Sequence, residues 1–310
     1  MNSTTEVNHE KLMELFGNVF NDVAGSMAIM MSYLGDQTGA YRAMDKLGPA
    51  SAEEIARESN VDERYLLEWL SSNAGRGYVT YHEETNQFSL SPEQAAVFAR
   101  ETEPTCIQGL VQGVVGQFVK EEVAVEVFKT GRGRPWGEHH ECCFCGTERF
   151  FRPAYASHLL DEWIPAMEGV ETKLKKGAKV ADIGCGLGTS SMLMAEQYPN
   201  STIHAFDFHE PSIEEAKKRA EQKGLNNLEF FVSDAAAIPK ESYDLACIFD
   251  AWHDMGDPIG VAKAIKDTLA DDGTFMVVEP MALDGLKNNI DNNPSAAMFY
   301  GFGTLICVPA

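Results

Sequence analysis

A glycine-rich turn constrains the fold of this chain more than any other stretch. The run Ala181-Asp182-Ile183-Gly184-Cys185-Gly186-Leu187-Gly188 follows a short apolar segment and opens a helical pattern. Glycine removes side chains where a backbone turn presses against a ligand, and the following helix directs its N-terminus to the same place. A dinucleotide-binding loop would require glycine at position 189, which is Thr189 here. The run therefore predicts a strand–turn–helix unit that binds a ligand other than a dinucleotide.

Strand candidates that end in or near acidic residues follow this turn. A polar helix of good helix formers, residues 211–223, separates the first two of them. Strands that alternate with helices predict an α/β fold with a parallel sheet, in which ligands bind at the carboxyl ends of the strands. The four strand candidates are Thr202–Asp207, Leu228–Ala235, Tyr243–Asp250 and Thr274–Glu279.

Three of the acidic residues are candidates for ligand binding. Asp207, 25 residues beyond Asp182, is placed to accept hydrogen bonds from both hydroxyls of a ribose. Asp234 is placed to accept from an adenine amino group, and Asp250 ends the next strand. A single acid at such a place is more often a turn residue or a helix cap. Three of them at successive strand ends, behind the glycine turn, predict a nucleoside-binding site.

The composition indicates an acidic protein with reduced thiols. The 310 residues include 25 basic and 47 acidic side chains, a formal net charge of −22. This charge repels phosphate backbones and anionic membrane surfaces, so we expect no nucleic-acid partner and no membrane partner. The seven cysteines are odd in number and irregularly spaced, which argues against a disulfide framework. With no leader-like segment and no long apolar run, the sequence predicts a cytoplasmic location.

Helical patterns and a hairpin fill the first hundred residues. Residues 9–33 carry apolar side chains at helical spacing, which predicts a core helix or a dimer helix. Ser51 and Glu54 form a capping-box pattern, Asp62 is placed to cap a second helix, and residues 78–90 predict a hairpin. Helix, turn, helix and two-stranded wing together resemble a winged helix.

Charge argues against DNA binding by this segment. Residues 51–100 hold nine acidic and four basic side chains, a net charge of −5, and the candidate recognition helix offers only Arg64. DNA readers need several phosphate contacts from basic side chains. We therefore expect a homodimerisation and substrate-covering module, not a transcription factor.

An interrupted helical stretch, residues 101–168, is expected to link two domains and to cover the substrate. It contains Cys142, Cys143 and Cys145 close to two histidines, all residue types that bind zinc. Adjacent cysteines cannot readily both point at one ion, and no second cysteine pair follows. We therefore expect a thiol-rich loop without a metal, followed by a helix that starts at Phe150.

The whole chain, not only the glycine turn, resembles class I S-adenosylmethionine-dependent methyltransferases that carry a winged helix. Its domain order resembles that of small-molecule O-methyltransferases. Matching stretches are residues 146–153, the glycine turn, Phe206-Asp207-Phe208-His209 and His253-Asp254-Met255-Gly256-Asp257-Pro258. The resemblance implies a Rossmann-like sheet, S-adenosylmethionine as the cofactor and a small-molecule acceptor. The donor-site residues that it implies are Asp182, Gly184, Gly186, Gly188, Asp207, Phe208, Asp234, Ala235 and Asp250.

The candidate catalytic residues are His253 and Glu279. In the broader family a histidine after the fourth strand, in an H-D-W-x-D run, is the general base. His253 and Asp254 match the first two positions of that run, whereas Met255 replaces the tryptophan. Methyl transfer needs an oriented and deprotonated acceptor, and the pKa of histidine suits proton removal near neutral pH. Glu279 ends the next strand candidate and could orient or tune the histidine.

Three other functions are compatible with these residues. The chain could be a catalytically silent regulator that binds the methyl donor, or a methyltransferase directed at nitrogen. A metal-assisted transfer would use Asp250, Asp254 and Asp257 as ligands, and a chelator would abolish it.

The predicted domains are residues 1–100, 101–168 and 169–310. Only 31 residues follow Glu279, whereas a fold of this family normally closes its sheet with an antiparallel hairpin. We therefore expect a methyltransferase domain that lacks this hairpin and is truncated relative to its relatives. The fifth strand would then be an uncovered apolar edge.

Overall fold

The computed structural model describes residues 7–310 and divides the chain into two units. The first unit ends at Val115, and the second runs from Gly116 to Ala310. This division falls inside the stretch 101–168 that the sequence predicted to be a linker. Along residues 7–310, no helix combines the length and the apolar character needed to cross a bilayer.

The N-terminal unit is a helical domain with a small two-stranded wing. The wing strands pair antiparallel, and an isolated bridge joins Ala50 to Phe88 at their side. The elements in chain order are α1 (His9–Thr38), α2 (Ala40–Leu47), α3 (Ala52–Ser59), α4 (Glu63–Gly75), β1 (Thr80–His82), β2 (Gln87–Ser89), α5 (Pro92–Phe98) and α6 (Gln108–Phe118), the last of which crosses the division between the units.

Local capping explains why the two central helices begin where they do. The hydroxyl of Ser51 accepts from the backbone N–H of Glu54, and the Glu54 carboxylate accepts from the backbone N–H of Ser51. At the start of α4 the carboxylate of Asp62 accepts from the N–H of Tyr65 at 3.1 Å. Both caps satisfy N–H groups that the first turn of a helix leaves without partners. The predicted winged-helix topology is confirmed.

Helix α1 carries an apolar face that stays exposed. The side chains of Phe16 and Phe20 are 62% and 64% accessible, and their rings stack with centroids 6.3 Å apart. The other exposed apolar residues of α1 are Leu12, Met13, Leu15, Val19, Val23, Met27, Met30 and Leu34. A contiguous apolar surface of this kind is typical of an interaction site.

The second unit is built on a five-stranded parallel sheet. Its strands lie in the order β5-β4-β3-β6-β7, and every pairing is parallel. This arrangement confirms the α/β fold with a parallel sheet that the strand–helix alternation predicts, and the Rossmann-like sheet that the family resemblance implies. The strands are β3 (Lys179–Ile183), β4 (Thr202–Asp207), β5 (Leu228–Val232), β6 (Tyr243–Phe249) and β7 (Leu269–Val278).

Helices cover this sheet. Strands β3 and β6 are central and almost wholly buried, as their near-continuous apolar sequences require. The helices that precede the strands in the sequence are α7 (Glu121–Thr130), α8 (Glu141–His158) and α9 (Val170–Lys176). Helices that follow strands are α10 (Thr189–Gln197), α11 (Glu210–Lys223), α12 (Pro258–Thr268), α13 (Leu286–Asn292) and α14 (Ala296–Phe302).

Strand β7 pairs with β6 along one side, and residues 7–310 contain no antiparallel strand in this sheet. The strand begins at Leu269, five residues before the predicted Thr274, because the ladder continues across an irregularity between Tyr243 and Leu245. After Val278 the chain forms α13, α14 and a π-helical turn, Gly303–Cys307. The expectation of a parallel sheet without an antiparallel hairpin therefore agrees with the described residues.

The thiol-rich segment is helical, so the prediction of a loop there is wrong. Cys142, Cys143 and Cys145 all lie in α8, which starts at Glu141 and not at Phe150. The helix starts earlier because His140 is its N-cap: the ring of His140 accepts from the N–H of Cys142 at 3.2 Å. Histidine was not considered as a cap in the sequence prediction. Cys142 and Cys143 are buried in this helix.

Candidate functional site

The glycine turn connects β3 to α10 at the carboxyl edge of the sheet. The N–H groups of Gly184 and Cys185 both donate to the carbonyl of Phe206 in β4, at 2.8 and 3.0 Å. Gly184, Gly186 and Gly188 have φ angles of +74°, +53° and +77°, a region that favours glycine. The turn is therefore attached to two neighbouring strands and shaped by its glycines.

The three glycines differ in what surrounds them. A Cβ on Gly184 would lie 2.8 Å from the Cβ of Ala251, and one on Gly188 would lie 2.7 Å from the ring of Phe230. A Cβ on Gly186 would meet nothing within 4 Å. The outer two glycines are therefore needed for packing, while Gly186 leaves open space at the centre of the turn.

Asp207 links this open position to the end of β4. Its Oδ2 accepts from the N–H of Gly186 and its Oδ1 from the N–H of His209, both at 2.8 Å. Burial raises the pKa of Asp207, and these two N–H donors act in the opposite direction. Each carboxylate oxygen has a second acceptor position, so Asp207 can still accept from two hydroxyl groups.

Asp182 lies beneath the turn. Its side chain is 1% exposed, and its Oδ2 accepts from the hydroxyls of Ser190 and Ser191 at 2.7 and 2.5 Å. Burial raises its pKa to about 6, against the two serine donors. The carboxylate therefore connects β3 to the first turn of α10, the two elements that the glycine turn joins.

The remaining predicted donor-site residues lie at the rim. Phe208 is 62% exposed. The exposed Asp234 accepts from the N–H of Ala236 at 2.7 Å and caps the short 3-10 helix that starts with Ala235. These residues follow the strand ends as predicted, with Asp234 in the role of a cap.

Asp250 directly follows β6 and has a left-handed conformation, with φ of +50°. Its N–H donates to the carbonyl of Val278 at 2.8 Å, and its Oδ2 accepts from the hydroxyl of Tyr155 at 2.6 Å. Burial raises the pKa of Asp250 to about 6. Tyr155, from α8, was not among the predicted site residues, because nothing in the sequence connects positions 95 residues apart.

The family-like stretch 146–153 contacts the helix that follows the glycine turn. Glu148 accepts from the hydroxyl of Thr189 at 2.7 Å, and Arg152 donates to the same carboxylate through Nε at 2.8 Å. Thr189 is the first residue of α10. The motif therefore fixes α8 against the start of this helix.

His253 and Glu279 are brought together from two strand ends. The Nδ1 atom of His253 contacts Oε2 of Glu279, while the N–H of Trp252 donates to Oε1 at 2.6 Å. One carboxylate therefore holds both the backbone and the ring of the 252–254 turn. On the other side of the ring, Nε2 lies 3.4 Å from Oδ1 of Asp254.

Cys307 completes this cluster. The ligand-type atoms of His253, Asp254 and Cys307 all lie within 4.8 Å of one another. Hydrogen bonding to Cys307 and then to Glu279 raises the pKa of His253 to about 10, against the effect of burial. Sequence reasoning missed Cys307, because only the fold of the C-terminal segment brings it to the histidine.

The alternative set of metal ligands is not assembled. Asp250 bonds to Tyr155, and Asp257 caps α12 by accepting from the N–H of Gly260 at 2.9 Å. Within residues 7–310, Asp250, Asp254 and Asp257 do not form one ligand cluster.

Comparisons with known proteins agree with this architecture. Residues 174–307 match the family model described as a methyltransferase domain, and residues 25–100 match the model described as an Rv2258c-like winged HTH domain. The mitomycin 7-O-methyltransferase MmcR superposes with a TM-score of 0.70 at 15% identity, over 98% of this chain and 89% of that chain. Human N-acetylserotonin methyltransferase, solved in complex with SAM, gives a TM-score of 0.64 at 14% identity over 98% and 88%.

Similarity to curated proteins is partial. Sterol 24-C-methyltransferase erg6 of Aspergillus fumigatus is 28% identical over 171 residues, which are 54% of this chain and 42% of the relative. The chain spans less than half the length of the curated relatives it matches. The family resemblance inferred from the motifs is confirmed: the chain joins an Rv2258c-like winged helix-turn-helix domain to a methyltransferase domain, and the two solved methyltransferases share its fold.

Proposed function

We propose that this protein transfers a methyl group from S-adenosylmethionine to a hydroxyl of a small molecule, with His253 as the proton acceptor. The observation that carries the proposal is the contact of Glu279 with the ring of His253 at the carboxyl edge of the sheet. The same edge holds the glycine turn and Asp207. Donor-type and base-type groups therefore share one edge, where ligands of open α/β sheets bind.

The residues present fit the donor. Gly186 leaves open space at the turn, and both oxygens of the Asp207 carboxylate keep an acceptor position for the ribose hydroxyls. Asp234 and Ala235 would contact the adenine edge, and Asp250 would lie at the methionine side. When bound, S-adenosylmethionine supplies a methyl group activated by the sulfonium charge.

The protein itself must remove the proton from the hydroxyl group that receives the methyl group. Glu279 fixes the ring of His253 and stabilises its protonated form, so the histidine can hold the proton that it takes from the acceptor. A pKa of about 10 for His253 is close to that of a phenol, so proton transfer from a phenolic hydroxyl would be nearly balanced. That pKa lies well above the near-neutral value expected from the sequence, so the free base becomes abundant only at alkaline pH.

A homodimer through α1 is part of the proposal. The first argument for a dimer is the exposed apolar face around Phe16 and Phe20. The second is that residues 51–100 are too acidic to attract DNA, so the domain needs another role. A second copy carries the same face, so two α1 helices can cover each other about a two-fold axis.

The acceptor is best found without a prior choice of substrate. The protein is incubated with S-adenosylmethionine labelled in its methyl group and a metabolite extract, and the labelled products are identified. His253→Ala should lower turnover of that acceptor by ~10²- to 10⁴-fold and leave donor affinity nearly intact. His82→Ala, in the wing, is the matched histidine control. Normal turnover by His253→Ala would contradict the base, and donor binding without any labelled product would favour the silent regulator.

A further inference from the structure

A buried arginine without a counter-charge lies in the loop before α8. The side chain of Arg134 is 1% exposed, and its Nε, Nη1 and Nη2 atoms have no hydrogen-bond partner among residues 7–310. Guanidinium groups stay charged in proteins, and an isolated buried charge is strongly unfavourable unless it is paired. Such a group needs an anion that this part of the chain does not supply.

The second arginine of the same loop shows the ordinary arrangement. Arg132 is 35% exposed and pairs with Glu126 at 3.3 Å and with Glu138 at 3.2 Å. Acidic side chains are therefore at hand on both sides of the loop, yet they pair with the outer arginine. Gly133, with φ of +81°, turns the chain between the two.

A buried histidine adds to the site. His139 is 4% exposed, and neither of its ring nitrogens has a partner within the described chain. Burial and then the charge of Arg134 lower its pKa to about 4, so the ring is neutral at pH 7. Arg134 and His139 together offer several donors and no acidic group.

Aromatic rings border this pair. The ring of Trp136 lies 5.9 Å from that of His139 and 5.3 Å from that of Phe144, measured between centroids. Phe144 in turn lies 4.9 Å from His209, whose N–H donates to Asp207. A series of tilted rings in mutual contact therefore leads from the arginine site toward the donor turn.

The arginine is also attached to the segment that carries Cys307. The N–H of Arg134 donates to the carbonyl of Pro309 at 2.7 Å, and a Cβ on Gly133 would lie 3.1 Å from the same oxygen. Cys307 precedes Pro309 by two residues, a reach of about 7 Å at most, and lies within 4.8 Å of His253. The arginine site is thus close to the proposed base.

We propose that Arg134, with His139 beside it, binds an anionic oxygen group of the methyl acceptor, so that the acceptor is a hydroxylated aromatic carboxylic acid. This inference rests on the proposed function, because it names the substrate class of the same site. The planar guanidinium can donate two parallel hydrogen bonds to a carboxylate. The aromatic rings of Trp136 and Phe144 would cover the flat part of the molecule.

The first test is binding measured by calorimetry. 4-Hydroxybenzoate is titrated against its methyl ester and against 4-hydroxybenzenesulfonate, using wild type, Arg134→Gln and the control Arg132→Gln. We expect the carboxylate to bind wild type and Arg132→Gln about 10- to 100-fold more tightly than Arg134→Gln, as for the loss of charge-assisted hydrogen bonds. The ester should bind all three alike. Tighter binding of the sulfonate than of the carboxylate would overturn the carboxylate assignment.

Thermal unfolding without added ligand supplies an independent test. If Arg134 has no counter-charge until an anionic ligand binds, Arg134→Met removes a buried unpaired charge. The Tm of the variant should then equal or exceed that of wild type. A clearly lower Tm would mean that the chain pairs the arginine itself and would overturn the inference. Donor binding and turnover separate the two proposals. Equal binding of 4-hydroxybenzoate by wild type and Arg134→Gln, in a protein that methylates neutral phenols, would overturn the substrate class alone. Binding of 4-hydroxybenzoate that Arg134→Gln weakens, without any methyl transfer, would overturn only the proposed function.

Discussion

The pH dependence of turnover tests the arrangement around His253 most directly. With a pKa of about 10, roughly one molecule in 10³ carries the neutral imidazole at pH 7. The groups that face this ring are Glu279, Asp254, Cys307 and the charge of Asp250. If the neutral ring is the base, kcat/KM of wild type should rise about tenfold per pH unit from pH 7 toward pH 10.

Glu279→Gln is the informative perturbation. The glutamine keeps an oxygen for the N–H of Trp252, so the turn is retained, while the negative charge next to Nδ1 is lost. Removal of an opposite charge at contact distance shifts a pKa by about one to three units, here downward. The rising limb of kcat/KM should move to lower pH by that amount, and its plateau should fall because the base is weaker.

The assay follows methyl transfer from pH 6 to 10 with donor saturation checked at each pH. Glu241→Gln is the matched control, since Glu241 lies 3.8 Å from another histidine, His204, outside the cluster. A flat wild-type profile between pH 7 and 9.5, or identical limbs in wild type and Glu279→Gln, would refute the reasoning. An unchanged profile in Glu241→Gln is expected.

Three further outcomes follow from the described contacts. Asp207→Ala should weaken binding of S-adenosylmethionine and of its demethylated product by about tenfold or more in calorimetry, since ribose hydrogen bonds are lost, and unchanged affinity would contradict the donor site. Turnover should survive dialysis against EDTA, because the proposed reaction routes no step through a metal; loss that zinc restores would instead assign His253, Asp254 and Cys307 as ligands. Phe16→Glu combined with Phe20→Glu should convert a dimer to a monomer in light scattering, and a wild-type monomer at micromolar concentration would contradict the α1 interface.

Much of the fold could be predicted because its signals are local. The glycine turn, the apolar strands and the caps at Ser51 and Asp62 each depend on residues within a few positions of one another. Local sequence therefore specified the elements, their order and the parallel sheet. It failed at α8, where the imidazole cap at His140 starts a helix before the cysteines.

The site was predicted in part for the same reason. Parallel strands end at one edge, so acids at successive strand ends had to gather there, and this rule also placed Glu279 near His253. The side chains that change the chemistry came from elsewhere. Tyr155 reaches Asp250 across 95 residues, and Cys307 approaches His253 from the C-terminal segment.

Burial was the property that only the tertiary structure decided. Arg132 and Arg134 are equivalent in sequence, two arginines in one glycine-rich loop, yet one pairs at the surface and the other is enclosed without a partner among residues 7–310. The backbone N–H of Arg134 also donates to the carbonyl of Pro309, a contact with a segment far away in the sequence. The sequence determined which groups carry charge. Packing between distant segments determined which of those charges are buried without a counter-ion, because the desolvation of a side chain depends on everything that surrounds it.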